Sequence, residues 1–131
     1  MMDIGIDGEI GFREYSGTVI IEQSPGGTGA AAEQLALASR LIIKGRCASA
    51  CAWAAAIARN ACYDPGAVFV FHGSHDPGTG HSMPAATKYW IDRMPRTLQA
   101  RLAPLLLTAD TVTVGPRDIP IAPCARGKAV R

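Results

Sequence analysis

The chain has few aromatic residues, little net charge and no long apolar run, and each of these absences argues against a class of protein. Phenylalanine, tyrosine and tryptophan make up 6% of the 131 residues, whereas alanine and glycine are abundant, which indicates a core of closely packed backbones. The formal net charge of +2 gives no reason to expect a nucleic-acid partner. No apolar run approaches the roughly 20 residues that a membrane span needs, so no membrane partner is expected.

The start of the chain and its cysteines bear on where the protein works. Residues 1–5 have neither the basic region nor the apolar stretch of a signal peptide, which favours a cytoplasmic location, or a periplasmic one if a leader was removed. Four cysteines are not a dense disulfide framework, and a single C-x3-C pair is a poor zinc pattern, so no metal is expected. The sequence leaves open whether Cys47, Cys51 and Cys62 are free thiols.

Strand and helix patterns alternate after an N-terminal hairpin whose turn is Ser16-Gly17. A helix between two strands favours their parallel pairing, and Pro95 and Pro104 should interrupt the last long helical pattern. The sequence therefore predicts one α/β domain, with a mostly parallel sheet flanked by helices. The predicted strands cover residues 9–15, 18–23, 41–44, 67–71 and 111–114, and the predicted helices cover residues 29–40, 49–60 and 85–107.

Three short motifs lie at the ends of predicted strands. Residues 24–27, Ser-Pro-Gly-Gly, have two glycines that let the backbone present N–H groups to a groove. Ser49 lies between Cys47 and Cys51 at a strand-to-helix junction, where its Oγ can be exposed beside the free N–H groups of the helix start. His72 ends the next strand, and a histidine there can serve a serine hydroxyl as general base.

The order and spacing of SPGG, CASAC and FH resemble the proteolytic subunit of the Clp protease, ClpP, within the wider crotonase-like fold. The doubled cysteine around the serine is similar to a less characterised branch of predicted periplasmic ClpP-like proteins with CxSAC. The resemblance covers residues 18–73 and implies ββα units and a serine peptidase or related hydrolase without a cofactor. It also implies a peptide or protein substrate bound by strand addition, a homo-oligomer and a partner ATPase.

The resemblance assigns roles to individual residues. It makes Ser49 the nucleophile and His72 the general base of a dyad or triad. It implies an oxyanion hole formed by the N–H of Ala50 together with Gly26 or Gly27.

The chain departs from the family pattern in two places. The family has a helix between its first strand and the SPGG strand, where only a hairpin turn fits here. The segment after the histidine is short, which leaves the third triad residue open: Asp118 has about the expected separation, Asp110 and Asp92 are rivals, and Asp76 is close in sequence. A shortened domain spanning residues 1–131 can keep the fold and be nearly inactive. The alternative function is therefore a catalytically degenerate crotonase-like assembly or binding module.

Two other patterns have competing interpretations. Residues 27–32 fit the G-x-G-x-x-G/A dinucleotide pattern, but no acidic residue follows between Glu33 and Asp64, so no cofactor is predicted. The cluster of His72, His75, Asp76 and His81 can be read as a metal site, although its glycines favour a surface loop.

An apolar stripe in the last helical pattern also has two interpretations. It is either an assembly face, as in crotonase-like rings and trimers, or a face that packs on its own domain, and the second is favoured. The stripe consists of Trp90, Ile91, Met94, Leu98 and Leu102.

Overall fold

The structure is a computed structural model that describes residues 11–15, 17–23, 29–76, 78–106 and 111–124. The strands in these ranges are β1 (Gly11–Tyr15), β2 (Thr18–Gln23), β3 (Arg40–Ile43), β4 (Arg46–Ala48), β5 (Ala61–Tyr63), β6 (Val68–His72), β7 (Thr111–Val114) and β8 (Ala122–Pro123). The α-helices are α1 (Gly29–Ala36), α2 (Ala50–Ile57), α3 (Pro84–Ile91) and α4 (Arg96–Leu102), and 3₁₀ helices cover Ala103–Leu106 and Pro116–Asp118.

The described strands form two sheets, one in the order β1-β2-β3-β5-β8 and the other in the order β4-β6-β7. The hairpin β1–β2 and the pair β6–β7 are antiparallel, and the other pairings are parallel. The predicted hairpin and the predicted parallel pairing of β2 with β3 are therefore confirmed. So is the α/β class, with a mostly parallel sheet flanked by helices.

The chain passes from the first sheet to the second at Gly45. The N–H of Lys44 donates to the carbonyl of Ile21 at 2.8 Å, and the carbonyl of Gly45 accepts from the N–H of Val68 at 3.2 Å. Gly45 lies so close to the carbonyl oxygen of Glu22 that a Cβ atom would overlap it. The strand that directly precedes Ser49 is β4, which lies in the second sheet and was not among the predicted strands.

Alternate residues of the five-stranded sheet face two different apolar layers, as the two-residue period of a strand requires. Val19 and Ile21 of β2 belong to the main core, together with small residues of α1 and α2. Ile20, Ile42 and Cys62 form a smaller cluster, against which Cys124 packs. The two layers therefore bury both faces of β2 and β3.

The helix α2 consists largely of alanine, and seven of its eight residues are buried. Its small side chains let it pack closely against α1. The ring of Trp53 meets Phe71 edge-on, with centroids 4.9 Å apart, and lies 6.2 Å from the ring of Trp90. Trp53 therefore fixes α2 against β6 and α3.

The last helical pattern is interrupted where its prolines predict. The helix α4 begins directly after Pro95, and Pro104 lies in a 3₁₀ helix. In the described ranges, no helix has the length and apolar character that crossing a membrane requires. The apolar stripe is buried, which confirms that it packs within its own domain. Its members Trp90, Ile91, Met94, Leu98 and Leu102 are each at most 6% exposed.

A polar network at the surface ties α1 to α3. The carboxylate of Glu33 accepts hydrogen bonds from Arg93 at 3.1 and 3.2 Å and from the hydroxyl of Tyr89 at 3.1 Å. The guanidinium of Arg93 also lies 4.9 Å from the centroid of the Trp90 ring. The hydrogen bond from Arg93 lowers the pKa of Glu33 below its ordinary value. The charged form of Glu33 is therefore the one that holds the two helices together.

Candidate active site

Ser49 lies between β4 and α2 in a backbone conformation that side-chain-bearing residues rarely adopt. Its φ is 55° and its ψ is −118°, which lies outside the left-handed helical region as well as the two common regions. Among the described residues it is the only non-glycine with a positive φ. Its N–H donates to the carbonyl of Val70 at 2.8 Å, and its carbonyl accepts from the N–H of Trp53 at 3.0 Å. Such strain is concentrated at functional sites, including the strand-to-helix turns that present a nucleophile.

We expect the protein with glycine at position 49 to be more stable than the protein with alanine there, by about 1 kcal/mol. Glycine has no Cβ and adopts a positive φ freely, whereas alanine keeps the strain. Ala58, at the other end of α2, has a φ of −63° and serves as control. Glycine there should instead lower the free energy of unfolding by about 0.5–1 kcal/mol. Urea denaturation measures both, and a more stable alanine variant at position 49 would show that the residue is unstrained.

The first turn of α2 supplies backbone donors beside Ser49. The side chain of Ser49 makes no capping hydrogen bond, and the first N–H groups of a helix have no partner within it. Ala50, directly after the serine, holds the position whose N–H serves as oxyanion donor in a nucleophile turn. The other predicted donors, Gly26 and Gly27, lie outside the described residues.

His72 is the last residue of β6, the strand next to β4. Because Ala48 pairs with Val70, the parallel register brings Ser49 and His72 to the same end of the sheet. The Nδ1 of His72 lies 2.9 Å from the carbonyl oxygen of Gly73. A carbonyl oxygen only accepts hydrogen bonds, so Nδ1 carries the proton of the neutral ring and Nε2 has the free lone pair. This is the tautomer that a general base for a serine hydroxyl requires.

The two residues are close along the sheet edge but are not joined. In the described part of the chain, no hydrogen bond links Ser49 to His72, and Ser49 is only 8% exposed. Catalytic hydrogen bonds are often long in unliganded enzymes and shorten when substrate binds. Proton transfer from Ser49 to His72 would therefore require the turn or the histidine ring to move.

A cleft of about 450 Å³ is lined in part by His72, whereas Ser49 does not line it. The ring of His75 lies beside that of His72, with centroids 5.5 Å apart. In the part of the chain that the structure describes, no group of three or more His, Cys, Asp or Glu side chains is placed to hold a metal ion. The cleft is lined by His72, Gly73, Ser74, His75, Gly80, Ser82 and Thr111.

The loop after His72 is anchored on the start of α3 by Thr87, which is fully buried. The N–H of Ser74 donates to Oγ1 of Thr87 at 2.8 Å, and the carbonyl of Ser74 accepts from the N–H of Met83 at 2.8 Å. These bonds fix the backbone next to Gly73, and with it the carbonyl that orients the histidine. The sequence gives no indication of this role for Thr87.

Three of the four candidate carboxylates, those of Asp76, Asp92 and Asp118, have partners other than His72. Asp118 accepts a hydrogen bond from Arg101 at 2.9 Å at the surface, and Asp92 pairs with Lys88 at 2.7 Å. Asp76 accepts from the N–H of Gly78 at 2.7 Å, and Asp110 lies outside the described residues. The Asp118 carboxylate is thus paired with Arg101, and the partner of His72 Nδ1 among the described residues is the carbonyl of Gly73.

All four cysteines are paired. Cys47 and Cys51, which flank Ser49, form one disulfide, and Cys62 and Cys124 form the other. The bond between Cys47 and Cys51 spans the strained serine, and both of its residues are fully buried. The doubled cysteine in the sequence was the signal for this feature, although the sequence did not settle the pairing.

No family model, curated protein or solved structure matches the chain. The chain is an α/β protein with two sheets among its described residues, a strained serine at a strand-to-helix turn and a histidine at the end of the neighbouring strand.

Proposed function

We propose that the chain is a crotonase-like, ClpP-like serine hydrolase in which Ser49 is the nucleophile and His72 is the general base. The observation that carries the proposal is the positive φ of Ser49 at the junction of β4 and α2. The neighbouring strand β6 supplies a histidine whose Nδ1 faces the carbonyl of Gly73, so that Nε2 is the nitrogen with the lone pair in the neutral ring. The division of the strands into two sheets, with helices packed on them, is compatible with ββα units of the crotonase type.

In the proposed mechanism, Ser49 Oγ attacks the acyl carbon of the substrate while its proton passes to Nε2 of His72. The N–H of Ala50 and the positive end of α2 stabilise the oxyanion that forms. His72 then gives the proton to the leaving group, which departs. In deacylation His72 takes a proton from the attacking water and returns it to Ser49 Oγ as the bond between that oxygen and the acyl carbon breaks. The Gly73 carbonyl accepts a hydrogen bond from Nδ1–H both in the neutral ring and after Nε2 is protonated, so the site works as a dyad with a backbone orienting group.

The substrate and partners in this proposal come from the resemblance to ClpP. They are a peptide or protein substrate, a homo-oligomer and a partner ATPase. The location is proposed from the cysteines: two disulfides are typical of an oxidising compartment, which favours the periplasm over the cytoplasm.

A catalytically degenerate member of the same fold, which binds or assembles, is the second candidate. It is favoured by the low exposure of Ser49 and by the missing hydrogen bond between Ser49 and His72 in the described residues. A site of this kind would keep the strained turn but give no activated hydroxyl.

Labelling of the full chain with a fluorophosphonate probe distinguishes the two candidates. We expect the wild type to be labelled, Ser49→Ala to be unlabelled, and His72→Ala to react about 10²–10⁴-fold more slowly. Ser39→Ala, which removes a serine from the turn after α1, is the control and should react like the wild type. A folded wild type that is not labelled, or labelling that persists in Ser49→Ala, would refute the hydrolase proposal.

A further inference from the structure

We propose that the Cys47–Cys51 disulfide is a clamp that holds Ser49 in its strained conformation. Cys47 and Cys51 are then positioning residues for the nucleophile, and their effect on catalysis rests on the proposed hydrolase function. Their effect on the backbone of Ser49 does not depend on that function.

The strained conformation of Ser49 requires an explanation, because a serine at this position has a more favourable backbone conformation available. Serine is among the preferred residues immediately before a helix, where an extended backbone lets its Oγ accept a hydrogen bond from the first turn. Ser49 is the residue before α2, yet its φ is positive and its side chain makes no capping bond. The sequence at the junction therefore favours an ordinary cap, and the structure has a different conformation.

The disulfide is placed to prevent the ordinary cap. It joins the residue two positions before Ser49, at the middle of β4, to the residue two positions after it, in the first turn of α2. The Cα atoms of Cys47 and Cys51 are held 5.2 Å apart. An extended backbone at Ser49 would separate these two residues, because extended chain advances by about 3.3 Å per residue. With its ends tied, the segment must turn sharply at its central residue.

The second disulfide offers a matched control. Cys62 and Cys124 lie in the small cluster with Ile20 and Ile42, which is separate from the main core that contains Cys47 and Cys51. Removal of that bond takes away a cross-link without freeing the ends of the segment around Ser49.

The test compares Ser49→Gly with Ser49→Ala in three backgrounds: the native cysteines, Cys47→Ala with Cys51→Ala, and Cys62→Ala with Cys124→Ala. Where the clamp is present, glycine should raise the folded-to-unfolded ratio about fivefold over alanine. In the Cys47→Ala, Cys51→Ala background this advantage should disappear or reverse, because the backbone is free to relax. An advantage that persists there, or that is lost equally in the Cys62→Ala, Cys124→Ala background, would overturn the clamp.

Fluorophosphonate labelling of Ser49 in the same backgrounds tests the consequence for catalysis. We expect labelling to slow about 100-fold without the Cys47–Cys51 bond, since a displaced reacting group costs about that much, and to stay within about twofold without the other bond. An unlabelled wild type would refute the hydrolase function and leave the glycine comparison to decide on the clamp. If the double alanine variant does not fold, Cys47→Val with Cys51→Ala restores buried volume without the cross-link, and the same outcomes apply.

Discussion

Replacing Cys62 and Cys124 by alanine is expected to lower the free energy of unfolding by about 4 kcal/mol, and replacing Cys47 and Cys51 by about 2 kcal/mol. In the chain-entropy account, a cross-link stabilises a protein by restricting its unfolded chain, and the restriction grows with the loop that the bond closes. The two bonds join residues 62 and 4 positions apart. Urea denaturation of the two double variants and the wild type under oxidising conditions measures the difference.

The control for the disulfide prediction is the same comparison with the thiols reduced. The wild type and the variants should then approach one another, because no cross-link restricts the unfolded chain in any of them. A larger loss for Cys47 and Cys51 than for Cys62 and Cys124 would show that interactions in the folded state outweigh loop entropy.

Replacing Gly45 by alanine is expected to lower the free energy of unfolding by about 3 kcal/mol, at the upper end of the usual cost of overpacking. The new Cβ would overlap the carbonyl oxygen of Glu22, which is backbone and has no rotamer to change. Relief of the overlap requires β2 to move away from the point where the chain crosses between the sheets. Because β4 and Ser49 follow directly, the variant should also disturb the turn at Ser49.

Gly66→Ala is the matched control for Gly45→Ala. A Cβ at Gly66 would lie 3.6 Å from the carbonyl oxygen of Lys44, an ordinary van der Waals distance. We expect this variant to be as stable as the wild type or more stable by about 0.4–1 kcal/mol, because alanine restricts the unfolded chain. The free energies of unfolding of Gly45→Ala and Gly66→Ala are compared by urea denaturation. Equal values would mean that β2 shifts to accommodate the new Cβ without loss of stability.

Local sequence patterns predict the order of the elements well, because their signals are local. The hairpin turn at Ser16-Gly17 and the break at Pro95 are examples. The division into two sheets has no such signal, because it depends on the approach of Gly45 to Glu22, which is 23 positions away in the chain. The strands β5 and β8 were missed because three and two residues are too few to show a period.

The candidate site likewise has some features that the sequence indicates and others that it does not. Ser49 and His72 are identifiable as side chains at the ends of consecutive apolar runs, and β4 and β6 bring them to one sheet end. The group that orients His72 has no signature in the sequence, because it is the carbonyl of Gly73 and every residue has a carbonyl. The positive φ of Ser49 is also unexpected from its residue type, since that conformation favours glycine.

Substitutions around a site that is partly built from main-chain atoms should have an unusual pattern of effects. Apart from the side chains of Ser49 and His72, the proposed mechanism uses the N–H of Ala50 and the carbonyl of Gly73. Only a proline at position 50 would remove that N–H, and no substitution removes the carbonyl. What a substitution changes is bulk: a Cβ at Gly73 would lie 2.9 Å from the carbonyl oxygen of Leu105. Away from Cys47, Cys51 and Thr87, saturation mutagenesis around the site should therefore give a map of permitted side-chain sizes, with chemical identity decisive only at Ser49 and His72.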